Sequence, residues 1–328
     1  MAASKNTIDP FTQKYFPFII LLPIIFWAFA FPFIKIGLEE LSPINLTIMR
    51  LFTVCAIFLL IIVLIPKKFS PLHKKDIISL FLLGFVGIVI YHLGLNYGEQ
   101  YMSASAASLI IATIPIFTVI FATLVLKEKI TKKIAVGIPL SLSGVVVISL
   151  TGTSGNPFEI NYISAAVAVL VSALVGAGYT IAGKKLLERY SALSLTVYAF
   201  LFGCLGLLPF LSPSLVTEAA SLTWRGWGAV LFLAVLPTVV GYVLWYVALE
   251  VKTASEISVF LYFIPVLSTI ISYFLFHEPI TWLFLFGGAL VILGLIIVNK
   301  KHSTKCRTRM KPSFIDSEAK IRFIHISF

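Results

Sequence analysis

Four polar side chains lie within long apolar stretches, and they come as two pairs. His92 and Asn96 are four residues apart, so on a helix they share a face. One hundred and fifty residues on, Tyr242 and Tyr246 repeat that spacing, with Thr238 one turn earlier and Trp245 alongside. Imidazole, amide and phenol each donate and accept hydrogen bonds, and an imidazole also exchanges a proton near neutral pH. Two unrelated polar pairs at equivalent places point to a helix face that meets something polar in both halves of the chain. The plainer account is anchoring: Tyr and Trp favour membrane interfaces, Tyr246 is near a helix end, and a histidine in an apolar span commonly bonds a neighbouring helix. The cavity-lining account is preferred because ionisable groups inside a membrane usually face the interior.

Two fixed charges join them. A charge within a membrane span costs about 2.5–3.5 kcal/mol on insertion scales, so Lys35 and Arg50 need a reason to be there. Lys35 is near the end of its span, where it can snorkel outward and pair with Glu39. Arg50 is roughly 9 Å beyond Ile44 along the helix, which makes snorkelling harder. No carboxylate lies deep in any span, since Glu99 and Glu256 fall near helix ends. The interior therefore leans positive, and a carboxylate-bearing solute is expected. Trp27, Phe31, Tyr179 and Tyr262 can add a stacking wall for a planar or apolar group. Only His92 can titrate inside the membrane near neutral pH, which leaves ion or proton coupling open.

Positioning these groups is a task for membrane helices. The chain has 328 residues, 59% of them hydrophobic and only 12% charged, and its mean hydropathy is +1.02. Ordinary soluble domains are near a quarter charged. Ten apolar stretches, at 17–37, 44–65, 76–97, 103–126, 132–150, 161–182, 192–211, 226–248, 255–276 and 281–299, each approach the roughly 20 residues that cross a bilayer. The expected fold is an all-α polytopic membrane protein of ten helices. Twenty-two of the 25 Lys and Arg residues fall on one side of that arrangement, against only Arg225 in the opposite loops. By the positive-inside rule both termini are cytoplasmic.

The sequence also repeats itself. Ile114-Pro115 recurs as Ile264-Pro265, Glu128-x-Ile130-Thr131 as Glu278-x-Ile280-Thr281, and Gly144 as Gly294; upstream, Lys35 matches Lys184 and Cys55 matches Cys204. Five spans per half is an odd number, so the second half enters from the opposite side. The loops agree: 127–133 is basic, whereas its mate around His277 has no Lys or Arg. The expected organisation is a cytoplasmic N-terminus (1–16), a five-helix repeat (17–150), a connecting loop (151–160), an inverted repeat (161–299) and a basic tail (300–328). Such halves place a solute site between them near the midplane. Pro115 and Pro265 are matched hinge candidates, with a simple packing kink as the alternative. Glu128 and Glu278 end their helices, where the macrodipole disfavours a negative charge, so a structural or gating role with a local cationic partner is expected. Small-residue strips, Gly94 with Gly98 and Ala168-Ser172-Gly176-Thr180, let helices approach closely.

This pattern resembles the EamA-type branch of the drug/metabolite transporter superfamily. The resemblance is carried by Trp27-Ala28, Arg50-Leu51-Phe52, the stretches Ala104 through Pro115 and Ala254 through Pro265, the terminal Glu128 and Glu278, and the glycines Gly144 and Gly294. It covers about 17–299. It implies a small-metabolite carrier of ten helices, often an exporter of amino acids or related compounds. The second repeat departs from the first at Ala199, which stands where Arg50 does, so any role for Arg50 is one-sided.

The expected function is alternating-access transport in the cell membrane, with a channel-like facilitator as the first alternative. An intramembrane enzyme is less favoured: the histidines are isolated, no Asp-rich pair occurs in any span, and no metal motif or phosphate loop is present. No cofactor or metal is expected. The expected partners are a small-molecule solute and anionic lipid at the basic face, with a homodimer an open option. The basic residues sit in short loops rather than a groove, which argues against nucleic acid despite a net charge of +11.

Overall fold

A computed structural model describes residues 14–126, 132–151, 160–277 and 280–299. In chain order the helices are α1 (Phe16–Leu38), α2 (Pro43–Leu64), α3 (Ile77–Gly84), α4 (Tyr91–Tyr101), α5 (Ala104–Ile111), α6 (Ile114–Leu126), α7 (Lys132–Thr151), α8 (Ile160–Leu186), α9 (Ala192–Cys204), α10 (Pro213–Ser221), α11 (Trp224–Leu233), α12 (Gly241–Val251), α13 (Ala254–Ser258), α14 (Phe263–Phe276) and α15 (Trp282–Asn299). Among the described residues there is no strand, and eight helical runs are long and apolar enough to cross a membrane. The expected fifth and tenth spans fall on α7 and α15.

Local chemistry sets the helix starts. Ser42, Ser103 and Ser191 each turn a side-chain oxygen to a backbone N–H of the first turn of α2, α5 and α9. Pro43 and Pro213 occupy the first turn, where a missing N–H costs nothing.

Four of the ten expected spans are interrupted in matched fashion, and a fifth, 192–211, passes into a 3₁₀ turn at Leu205–Phe210. A π-helical turn, Phe85–Ile90, joins α3 to α4, and another, Ala234–Val240, joins α11 to α12. Such wide turns leave backbone groups to be met by side chains and recur at functional sites. The other two breaks lie between α5 and α6 at Ala112–Thr113, and in the 3₁₀ turn Val259–Tyr262 before α14. Pro115 and Pro265 therefore do not kink a continuous helix. Each sits in the first turn of a new one, a position proline tolerates, and the break lies just before it.

Small residues set the closest contacts. Gly94 and Gly98 of α4 press against Ala168, Ser172 and Val169 of α8, so the two small-residue strips read in the sequence meet each other. At the α7–α15 crossing, a Cβ on Gly144 would come within 2.5 Å of the Gly287 carbonyl oxygen, and one on Gly294 within 2.5 Å of the Gly137 carbonyl oxygen. Ser141 Oγ donates to the Val291 carbonyl across the same crossing at 2.7 Å.

Candidate functional site

A cavity of about 780 Å³ of atom-free space, its mouth included, lies where α1, α2, α4, α5, α8 and α12 converge. Much of that space is the open mouth, so the enclosed part suits at most a small molecule. Trp27, Phe31, Arg50, His92, Tyr179, Tyr242 and Trp245 all line it. Asn96, Tyr246, Tyr262 and Lys35 do not.

Arg50 is 3% exposed. Its Nε donates to Thr238 Oγ1 at 2.9 Å, and Thr238 in turn donates to the Leu233 carbonyl five residues back, inside the second π turn. Its Nη1 is buried with no hydrogen-bond partner among the described residues. Trp27 Nε1 donates to the Pro237 carbonyl in that same turn, at 2.8 Å. Two side chains of the first half thus hold the irregular turn of the second, and one guanidinium nitrogen is left without a hydrogen-bond partner among the described residues.

His92 satisfies the other π turn. Its Nδ1 lies 2.7 Å from the Ile88 carbonyl, an acceptor only, so Nδ1 carries the proton in the neutral ring and Nε2 remains an acceptor. The bond is to its own helix, not to a neighbouring one. Rings complete the walls. Trp27 meets Tyr242 and Trp245 edge-on at 5.8 and 5.3 Å, and His92 is 6.1 Å from Tyr242.

The remaining expected residues have other partners. Asn96 Nδ2 donates to Thr47 Oγ1 at 2.8 Å and so ties α4 to α2. Tyr246 is fully buried and stacks on Tyr179 at 5.0 Å, behind the wall. Tyr262 is half-buried in the 3₁₀ turn before α14. Lys35 does not turn outward to Glu39: its ammonium donates to the Glu99 carbonyl at the end of α4, and Glu39 pairs with Arg225 at 3.5 Å. Lys184, its repeat mate, does the same to the Leu249 carbonyl at the end of α12. A cation at a helix C-terminus meets both the last carbonyls and the macrodipole. Glu128 and Glu278 lie outside the described residues.

Two residues escaped the sequence reading. Tyr91 lines the cavity, its ring 5.1 Å from His92. Its position beside His92 is the available signal, but neighbours in sequence diverge by about 100° on a helix, so a shared-face argument does not select it. Glu99 is at a helix end as read, yet it is fully buried. Nothing in its own neighbourhood signals that, because its cover comes from other helices.

Polar contacts tie the two halves together at either end. At the acidic end, Glu40 accepts from Thr223 N and Oγ1 at 2.7 and 2.6 Å, and Glu218 accepts from Ser42 N at 2.9 Å. Chiefly the Thr223 hydroxyl, and then its backbone N–H, hold the Glu40 carboxyl below the ordinary carboxylate range. At the basic end, Asp76 pairs with Arg189 at 2.8 Å and accepts from Tyr190 at 3.0 Å, while Ser70 and Ser191 are joined at 3.0 Å.

Comparison with known proteins places this geometry. The model of the EamA-like transporter family matches residues 16–150 and again 163–300. A protein of Archaeoglobus fulgidus described as an uncharacterized transporter is 38% identical over 87% of this chain and 98% of its own length. A probable terminal-alkyne amino-acid exporter of Streptantibioticus cattleyicolor is 31% identical over 89% of this chain and 96% of its own. A solved crystal structure superimposes with a TM-score of 0.59 at 16% identity, over 85% of this chain and 94% of that one, a likeness of fold.

Proposed function

Because this chain belongs to the EamA-like transporter family, we propose that it is an alternating-access secondary transporter exporting a small carboxylate-bearing metabolite such as an amino acid. The observation that carries this reading is that Arg50 lines the cavity while its buried Nη1 has no hydrogen-bond partner among the described residues. A guanidinium held in that way is matched by a carboxylate, which accepts charge-assisted hydrogen bonds. The relative described as a probable amino-acid exporter supports the same class.

Ten helices in two inverted five-helix repeats fit this reading. Seven pairs of cavity residues are related by 149 or 150 positions, including Trp27 with Gly176, Ala30 with Tyr179, His92 with Tyr242 and Ile111 with Leu261. A cavity built from equivalent positions of two repeats sits on the axis relating them, where rocking exposes it to either side in turn. The polar ties at the two ends then act as alternate gates, one released at a time. Both termini face the cytoplasm, and the membrane is the cell membrane.

Solute counterflow in proteoliposomes tests the proposal. A carrier preloaded with its solute accumulates the labelled form transiently and saturably, with no ionic current. Counterflow of neutral or cationic solutes but of no carboxylate would oppose the substrate class. A steady conductance without counterflow would favour the facilitator channel.

A further inference from the structure

The cavity offers a cation for a carboxylate, but among the described residues its lining contains no carboxylate for an ammonium. An ammonium removed from water must be met by oxygen lone pairs or ring faces. The break between α5 and α6 supplies the first. Thr113 N bonds to the Ile110 carbonyl at 3.0 Å and Ile116 N to the Thr113 carbonyl at 2.9 Å, while Pro115 has no N–H to give to Ile111. Among the described residues no hydrogen bond reaches the carbonyl of Ala112, that of Ile111 lacks its i+4 donor, and both residues line the cavity. They also form the C-terminal end of α5, the negative end of its dipole. The rings of Trp27, Tyr91 and Tyr242 supply the second kind of surface.

We propose that the break between α5 and α6 is the ammonium subsite of a two-point amino-acid site, with Arg50 holding the carboxylate and an apolar or aromatic side chain lying against the rings. This rests on the carrier reading above and narrows it: the solute is a zwitterion, and a carboxylate alone is a poor ligand.

The test uses the purified full-length chain, with binding followed by the fluorescence of Trp27 and Trp245 in the cavity wall. Phenylalanine is compared with 3-phenylpropionate, which lacks the ammonium, and 2-phenylethylamine, which lacks the carboxylate. Each loss removes a charge-assisted bond, so phenylalanine is expected to bind at least about tenfold more tightly than either. Equal affinity for 3-phenylpropionate would overturn the ammonium subsite and leave the carboxylate carrier standing. Absence of binding by all three, together with no counterflow of any carboxylate, would overturn both. In Pro115→Ala, which offers an N–H to the Ile111 carbonyl, the preference for phenylalanine over 3-phenylpropionate should shrink toward one. An unchanged preference would move the subsite away from this break.

Discussion

Arg50 and Lys35 are both cations inside apolar spans, and the structure gives them opposite employment. Lys35 is spent on the Glu99 carbonyl, as Lys184 is on that of Leu249. That use was not legible in the sequence, because the acceptor is a backbone oxygen 64 residues away. Lys35→Met is expected to lower stability by about 1–3 kcal/mol, the cost of stripping a charged donor from a buried carbonyl, while solute affinity stays within about twofold. A large loss of affinity at unchanged melting temperature would place Lys35 in the site instead. His92 and Tyr242 stand in the wall, so His92→Ala and Tyr242→Phe should impair transport without loss of expression; normal transport by both would remove that face from the site. Glu40 carries a pH signature. Its carboxyl titrates lower in the folded chain than in the unfolded one, so its stabilisation is complete above the ordinary carboxylate range and is lost as pH falls through the folded value. The melting temperatures of wild type and Glu40→Gln should therefore differ at neutral pH and converge in acid. A gap independent of pH would mean that the carboxylate is not the cause.

At the scale of elements, hydropathy located the helices well because membrane crossing imposes a fixed apolar length. It did not locate the breaks, nor the π turns, at which single side chains such as Thr238, His92 and Trp27 reach backbone carbonyls. The prolines were visible as matched interruptions, and each stands in the first turn after its break rather than at a bend within one helix. The matched glycines had a plainer meaning, since Gly144 and Gly294 lie at one crossing and face backbone on the other helix. Gly144→Leu or Gly294→Leu should cost at least about 1–3 kcal/mol, the usual penalty for overpacking a tight contact. Wild-type melting in detergent for both variants would show that α7 and α15 do not cross so closely.

For the whole molecule, the repeat was the most readable property, because it needs only the sequence compared with itself. The cavity was partly readable for the same reason. His92, Tyr242 and Trp245 emerged from repeat pairing, whereas Asn96 and Tyr246 followed the same logic and were directed elsewhere by the packing of α4 on α2 and of Tyr246 on Tyr179. On the proposed reading, specificity is carried by what the repeat does not copy, chiefly Arg50 against Ala199. The decisive measurement is counterflow of a labelled amino acid through proteoliposomes holding wild type or Arg50→Met, with melting temperature measured alongside. The account predicts saturable counterflow for wild type and at least about a tenfold loss for the folded variant, from removal of a charge-assisted contact. A folded Arg50→Met protein that transports at the wild-type rate would contradict it.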